Sequence, residues 1–192
     1  SSSLFGFDKE EATSIEIGWK GRSEDGRMKG SVAAFSIAYD DRQIEYQIED
    51  PNGGGIVEGI INLGDSKQFG FEAAFAIRVN DYLDVTLSGG WVDAEWKGGT
   101  LAGGVDLSGK TPPVVPQSGI NLTADYLKPI ANGRNMAASL QVSRTGSYEG
   151  LQAWDPVTNP SYILVNAQIG QTSDDWELML NIENLFDEEY YM

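Results

Sequence analysis

Long stretches of this chain alternate apolar and polar side chains with period two, and that alternation limits the possible folds more than any other feature. In "WELMLNIEN" Trp176, Leu178, Leu180 and Ile182 fall on one side, and Glu177, Met179, Asn181 and Glu183 on the other. "YILVNAQIG" sets Ile163, Val165, Ala167 and Ile169 against Leu164, Asn166 and Gln168. "GINLTADYL" sets Ile120, Leu122, Ala124 and Tyr126 against Asn121, Thr123 and Asp125. "SIEIGW" and "QFGFEAAFAIR" repeat the pattern, with Ile15, Ile17 and Trp19 in the first and Phe69, Phe71, Ala73, Phe75 and Ile77 in the second. Successive side chains point to opposite faces only in an extended strand. No segment of ten or more residues carries a helical period. The pattern predicts strands near 11–21, 28–48, 60–78, 83–96, 118–128, 134–146, 161–170 and 176–186.

The connections alternate in length. Those at 22–27, 79–82, 129–133 and 171–175 are short, and those at 49–59, 97–117 and 147–160 are long. Tight turns at one end and extended loops at the other are the arrangement of an up-and-down barrel in an outer membrane. A soluble sandwich mixes short turns at both ends. Several predicted strands also reach the ~9–11 residues that a tilted strand needs to cross a bilayer. Alternation alone does not say which face is buried. In a soluble fold the apolar face turns inward to a core; in a membrane barrel it turns outward to lipid. Strand length and loop asymmetry favour the second arrangement. Trp19, Tyr39, Tyr82, Trp91, Trp96, Tyr126, Tyr162 and Trp176 lie near strand ends, where they suit either headgroup-level girdles or ordinary end packing. The polar face would line the lumen with Glu16, Glu72, Arg78, Asn121, Asp125, Asn166, Gln168, Glu177, Asn181 and Glu183.

Composition removes several functions. The 192 residues suit one domain and contain neither cysteine nor histidine. Disulfides, thiolate metal sites and nucleophile–histidine pairs are therefore excluded within this chain. With 13 Lys and Arg against 29 Asp and Glu, the formal charge is −16, which repels nucleic acid. A hydrophobic content of 41% with five Trp argues against the disorder that such a charge otherwise suggests. No run approaches the ~20 apolar residues of a membrane helix.

Local motifs add little chemistry. The glycine runs at 98–104 and 53–55 open no helix and precede no Lys-Ser/Thr, so they read as loop glycine. "NLT" at 121–123 matches a glycosylation sequon but lies within a strand. Carboxylates cluster at Asp40–Asp41, Asp93/Glu95, Asp174–Asp175 and Asp187–Glu189 without the ordered oxygen pattern of a calcium loop. They read as solvated charge, or as an acidic outer mouth attracting cations, including divalent ions that bridge lipopolysaccharide. No catalytic, cofactor-binding or metal-binding residue is assigned. The ligand-contact candidate is the loop at 145–160, where Tyr148 and Trp154 offer stacking surfaces and Gln152 and Asp155 offer polar contacts. Loop self-packing, with turns at Asp155-Pro156 and Asn159-Pro160, is the competing account of the same residues.

Four stretches, in order, resemble the C-terminal barrel region of TonB-dependent outer-membrane receptors. They are "EATSIEIGWKG" with "FSIAYDDRQ", then "INLGDSKQFGFEAAF", then "LSGKTPPVVPQ", and finally "YILVNAQIG" through "NIENLFDEEYY". The NLFD-x-x-Y ending is the most specific. The resemblance implies an all-β fold in which residues 1–192 form about eight strands of a plugged barrel of ~22 strands. The plug domain and the last strand would be absent, and both chain ends would fall in outer loops. It further implies a bacterial outer-membrane transporter, not an enzyme, that takes up a scarce nutrient such as a ferric siderophore, cobalamin or a carbohydrate. The implied partners are outer-membrane lipid and lipopolysaccharide, the plug and remaining strands, a TonB complex contacted through parts not present here, and a small-molecule substrate. Missing histidine argues mildly against haem ligation by this region. The alternatives are a small structural outer-membrane barrel and a soluble carbohydrate-binding β-protein.

Overall fold

The computed structural model describes residues 7–49, 54–98, 101–102, 105–150 and 157–190. Among these every regular element is a strand. The main ones are β1 (Glu11–Arg22), β2 (Met28–Glu49), β3 (Ile56–Asn80), β4 (Leu83–Trp96), β7 (Ser118–Ile130), β8 (Arg134–Thr145), β11 (Tyr162–Thr172) and β12 (Glu177–Ile182). Two small ribbons sit in the long connections: β5 (Leu101–Ala102) with β6 (Val105–Asp106), and β9 (Tyr148–Glu149) with β10 (Thr158–Asn159). The eight main strands pair strictly with their sequence neighbours in one antiparallel sheet, an uninterrupted meander. The sheet is open, with β1 and β12 as its edges.

The pairing register carries each apolar side chain onto the same face as the next. Ile17 pairs with Ala34, Ala34 with Phe71 and Phe71 with Trp91. Leu87 then pairs with Leu122, Leu122 with Val142 and Val142 with Val165. The Phe71 and Trp91 rings stack at 5.2 Å and Phe69 meets Phe71 edge-on at 5.6 Å. Nothing covers this face among the described residues. Ile17 is 77% exposed, Leu178 71% and Leu180 59%, and besides Pro112 the buried apolar side chains among the described residues are Leu63, Ala94, Trp96, Leu107 and Val165. A water-soluble protein does not leave so large a continuous apolar surface unpartnered. A hydrocarbon solvent is the partner that this surface fits.

Dimensions agree. From Phe69 to Val79 the face of β3 runs about 33 Å along the strand, which a tilt of about 40° reduces to about 25 Å of height, the thickness of a bilayer's apolar band. The stagger of the short turns supports a tilt. Met28 beside the first turn pairs with Ile77, short of the second turn at 81–82, and Leu83 beside the second pairs with Tyr126, short of the third at 131–133. Each turn is displaced in the same direction, as strands inclined to a barrel axis require.

Local chemistry fixes the ends. In the third short turn Asn132 (φ 67°) and Gly133 (φ 65°) are left-handed, a conformation that asparagine and glycine accept. β12 ends four residues earlier than the alternation predicts. Asn184 is left-handed (φ 48°) and exchanges hydrogen bonds with Glu188: its Nδ2 donates to the Glu188 carbonyl at 3.0 Å, and its Oδ1 accepts the Glu188 N–H at 2.9 Å. The asparagine side chain competes with the ladder and turns the NLFD segment out of it. β2 and β3 instead outrun their neighbours. β1 reaches only Asp40 and β4 only Ser66, and at this height a bulge with Asp41 at φ 54° shifts the register between Tyr39 and Arg42. The ribbon beyond it stands above the rest of the sheet, bent by the extra residue.

Leu122 and Thr123 are chain neighbours on opposite faces, both in mid-strand. In the whole protein, folded into lipid vesicles, Leu122→Arg should cost about 2–4 kcal/mol by denaturant unfolding, and Thr123→Arg less than half of that.

Candidate functional site

The face opposite the apolar one carries most of the sheet's polar side chains, interrupted on β2–β4 by Phe35, Ile37 and Val92, and every residue that alternation assigned to a lumen lies on it. Gln168 pairs with Asn181 and with Ser139, Asp125 with Ser139, and Asn166 with Gln141. These side chains bond laterally: Ser139 Oγ to Asp125 at 2.7 Å, Gln168 Nε2 to Asn181 Oδ1 at 2.5 Å and Asn166 Nδ2 to Gln141 Oε1 at 3.4 Å. Near the short-turn end Arg78 Nε donates to Asp84 Oδ1 at 3.0 Å. No buried side-chain polar atom among the described residues lacks a partner.

The girdle aromatics divide between the faces. Trp19, Tyr82, Tyr126 and Trp176 lie toward the short turns, with Tyr82 against Tyr126 at 6.5 Å and the Lys128 ammonium over the Tyr82 ring at 5.6 Å. Trp91 lies on the apolar face toward the long loops. Tyr39 and Trp96 do not join a girdle. Both pair with Ser66 on the polar face, and the Arg42 guanidinium lies 5.0 Å from the Tyr39 ring and 5.6 Å from that of Trp96. Arg42 also donates to Ser66 Oγ at 3.2 Å. The bulge makes this possible by re-aiming Arg42. Tyr162 likewise leaves the lipid side and stacks on Tyr190 at 4.8 Å.

The long-loop end therefore has a built wall. Leu63, Trp96 and Leu107 form a small core, with Ile44 and Ile61 packed against it. The connection after β4 folds back over this core. The Trp96 N–H donates to the Lys110 carbonyl, and Gly109 returns a bond to Trp96, each at 2.9 Å. Ser108 donates its hydroxyl and its N–H to Asp106, which holds that carboxyl below the usual carboxylate range, with Lys110 nearby adding to the effect. The same connection reaches the next one: the Val114 N–H donates to the Glu149 carbonyl at 2.8 Å, with Val114 held left-handed at φ 59°. A β-branched residue in that region is strained and is held there by its surroundings.

Of the sequence-derived ligand candidates, Tyr148 lies in the β9–β10 ribbon, where it pairs with Asn159 beside this tie. Gln152, Trp154 and Asp155 lie outside the described residues. Sequence reasoning missed the Tyr39–Arg42–Trp96 cluster. Its only sequence trace is that Phe35, Ile37 and Tyr39 alternate out of phase with the apolar face of β2. Among the described residues no group of His, Cys, Asp and Glu could hold a metal ion.

A long-stranded antiparallel meander with an uncovered apolar face, a wet inner face and elaborated loops at one end is a section of an outer-membrane β-barrel wall. A family model described as "TonB dependent receptor-like, beta-barrel" matches residues 2–185, and the chain belongs to that family. A curated relative, the ferric-pyoverdine receptor PbuA of a Pseudomonas species, is 29% identical over 185 residues, which are 93% of this chain and 21% of that protein. Among solved structures the fold matches the ferric yersiniabactin uptake receptor FyuA of Yersinia pestis with a TM-score of 0.73, at 17% identity, over 95% of this chain and 26% of that one. It matches the siderophore receptor PiuA of Acinetobacter baumannii with a TM-score of 0.69, at 24% identity, over 95% of this chain and 25% of that one. The chain thus spans about a fifth to a quarter of the length of these relatives, each of which is named as a receptor.

Arg42→Ala should free the 97–117 connection by removing a stacking interaction of about 0.5–2 kcal/mol, read as faster limited proteolysis within it, with Arg42→Lys between the two. The Asp106 bond contributes fully above the ordinary carboxylate pKa of about 4 and is lost as pH falls through the lowered value. Hydrogen-exchange protection at Gly109, corrected for intrinsic rates, should therefore drop on acidification in the native protein and stay flat in Asp106→Asn.

Proposed function

We propose that the parent protein is an outer-membrane receptor of a Gram-negative bacterium that binds a ferric siderophore at its outer face and imports it with energy delivered through TonB. The observation that carries this reading is the uncovered apolar face backed by a mainly polar one, in a chain that matches the receptor barrel family from residue 2 to residue 185. A soluble carbohydrate-binding protein would cover that face. A small closed structural barrel would pair the edges of β1 and β12, which stand apart here. The siderophore assignment draws on the names of PbuA, FyuA and PiuA, which refer to ferric or siderophore cargo.

In this reading the long connections present the ligand surface. Tyr148 and Trp154 supply aromatic faces to an organic chelator, and Gln152 and Asp155 supply hydrogen-bond partners. The tie between Val114 and Glu149 lets the two neighbouring connections move together. At the outer rim of the apolar face, Lys67 pairs with Glu95 at 2.7 Å, while Arg144 donates to Ser118 at 3.0 Å. Both cations sit where the phosphates of lipopolysaccharide would lie. The plug, the other strands and the TonB contact belong to the remainder of the receptor.

In a host lacking its own siderophore receptors, the whole protein should restore uptake of radiolabelled iron from a ferric siderophore, and only with intact TonB. The double variant Tyr148→Ala/Trp154→Ala should weaken siderophore binding by about tenfold or more while the barrel stays folded. Undiminished affinity would remove this loop from the site, and absence of TonB-dependent uptake across siderophore classes would overturn the function.

A further inference from the structure

The apolar face is not evenly filled. Across β3 and β4 large rings occupy it, with Phe71 stacked on Trp91. Across β7, β8 and β11 it holds a depression of about 400 Å³, within the size range of small-ligand sites. Ala138 is its centre, between Tyr126 and Ile169 in one row of the ladder. In the next row, away from the short turns, Leu140 stands between Ala124 and Ala167. The depression therefore forks around Leu140. On its short-turn side two cations share the same face. Lys128 pairs with Met136 and Ile130 with Arg134, so the two basic residues are diagonal neighbours. The Lys128 ammonium lies 5.6 Å from the Tyr82 ring, and the Arg134 guanidinium donates to the Ala131 carbonyl at 3.3 Å and to Gln171 Oε1 at 3.4 Å. Neither cation forms an ion pair among the described residues. At this end the carboxylates of β4 and β7, Asp84 and Asp125, lie on the opposite face, bonded to Arg78 and Ser139.

We propose that this depression binds one anionic glycerophospholipid of the inner leaflet, with its phosphate held by Lys128 and Arg134 and its two acyl chains laid on either side of Leu140. The inference takes from the family only that the strands cross an outer membrane with their short turns on the periplasmic side. It goes beyond the siderophore reading and does not depend on it. Charge complementarity selects the occupant. Two cations at headgroup level, with no carboxylate on their face of β7, β8 or β11, attract a headgroup of net negative charge. A zwitterionic headgroup brings its own ammonium against them and loses most of that attraction. The chains add shape. Hydrocarbon against leucine gains nothing from leaving water, so what a chain gains here is close packing in gaps that alanine leaves. A fork takes two chains from one glycerol, whereas a single-chain lipid fills one branch.

The test uses the whole receptor, purified from outer membranes in mild detergent, stripped of lipid and titrated with phosphatidylglycerol or phosphatidylethanolamine. Native mass spectrometry counts the bound lipid, and heat-modifiable gel mobility confirms a folded barrel. One phosphatidylglycerol should bind, about tenfold or more tightly than phosphatidylethanolamine. The double variant Lys128→Gln/Arg134→Gln should abolish that preference. Lys20→Gln/Lys29→Gln removes two cations at the same end of the sheet but on the opposite face, and should leave it intact. Ala138→Phe fills the centre of the fork and should weaken phosphatidylglycerol binding several-fold with both cations in place. Equal binding of the two lipids, an undiminished preference in the Lys128/Arg134 double variant, an equal loss in the Lys20/Lys29 pair, or unchanged binding in Ala138→Phe would each overturn the site. Binding is read without transport, so a receptor that imports no siderophore can still hold this lipid, and one that imports siderophore can lack the site.

Discussion

Within a bilayer no water is available to the backbone, so every N–H and C=O in the spanning region must be satisfied by the protein. This constraint explains why the chain is a strict meander. Main strands pair only with the main strands next to them in sequence, so the ladder grows without crossings and every interior strand is paired on both edges. It also explains where irregularity is found. The β2–β3 bulge, the strained Val114 and the left-handed Asn184 lie toward the long-loop end, at or beyond the ends of the neighbouring strands, where water and side chains can complete broken pairs.

Once the ladder is fixed, the two faces are free to meet different solvents. On one, phenylalanine, leucine and isoleucine stand exposed with no core beneath them, and the sheet's small buried cluster of Leu63, Trp96 and Leu107 lies outside the band altogether. On the other, hydrogen bonds run sideways between strands, with Asp125, Gln168 and Asn166 each engaging a neighbour. The apolar face suits a hydrocarbon solvent and the polar face suits water. The long connections, released from both, hold the less regular chemistry: an arginine between two rings, a carboxylate capped by a serine, and a backbone bond tying two loops together.

The sequence made the strands legible because period-two alternation is a local property. All eight main strands fall where the pattern put them. Boundaries moved where a side chain intervened, as at Asn184, or where pairing continued past the alternating stretch, as in β3 from Ile56 to Asn80. Membership in the receptor family was also legible, through the order of four short stretches ending in NLFD. The ligand loop was chosen by composition, and of its four residues the structure describes Tyr148 alone. The Arg42 cluster was not legible, since Tyr39, Arg42 and Trp96, far apart in the chain, meet only through a bulge and a ladder.

By itself, then, the sequence determined that this chain is a series of long amphipathic strands joined by alternating short and long connections, because side-chain direction in a strand depends only on neighbouring residues. The tertiary structure alone decided which way each strand's faces turn. In β2 the larger rings, Phe35 and Tyr39, sit on the face of the polar residues, while Val32 and Ala34 share the face of Ile17 and Phe71. That assignment comes from pairing Ala34 with Ile17 and with Phe71. A slip of one residue in that register would reverse it, and no local property of β2 distinguishes the two.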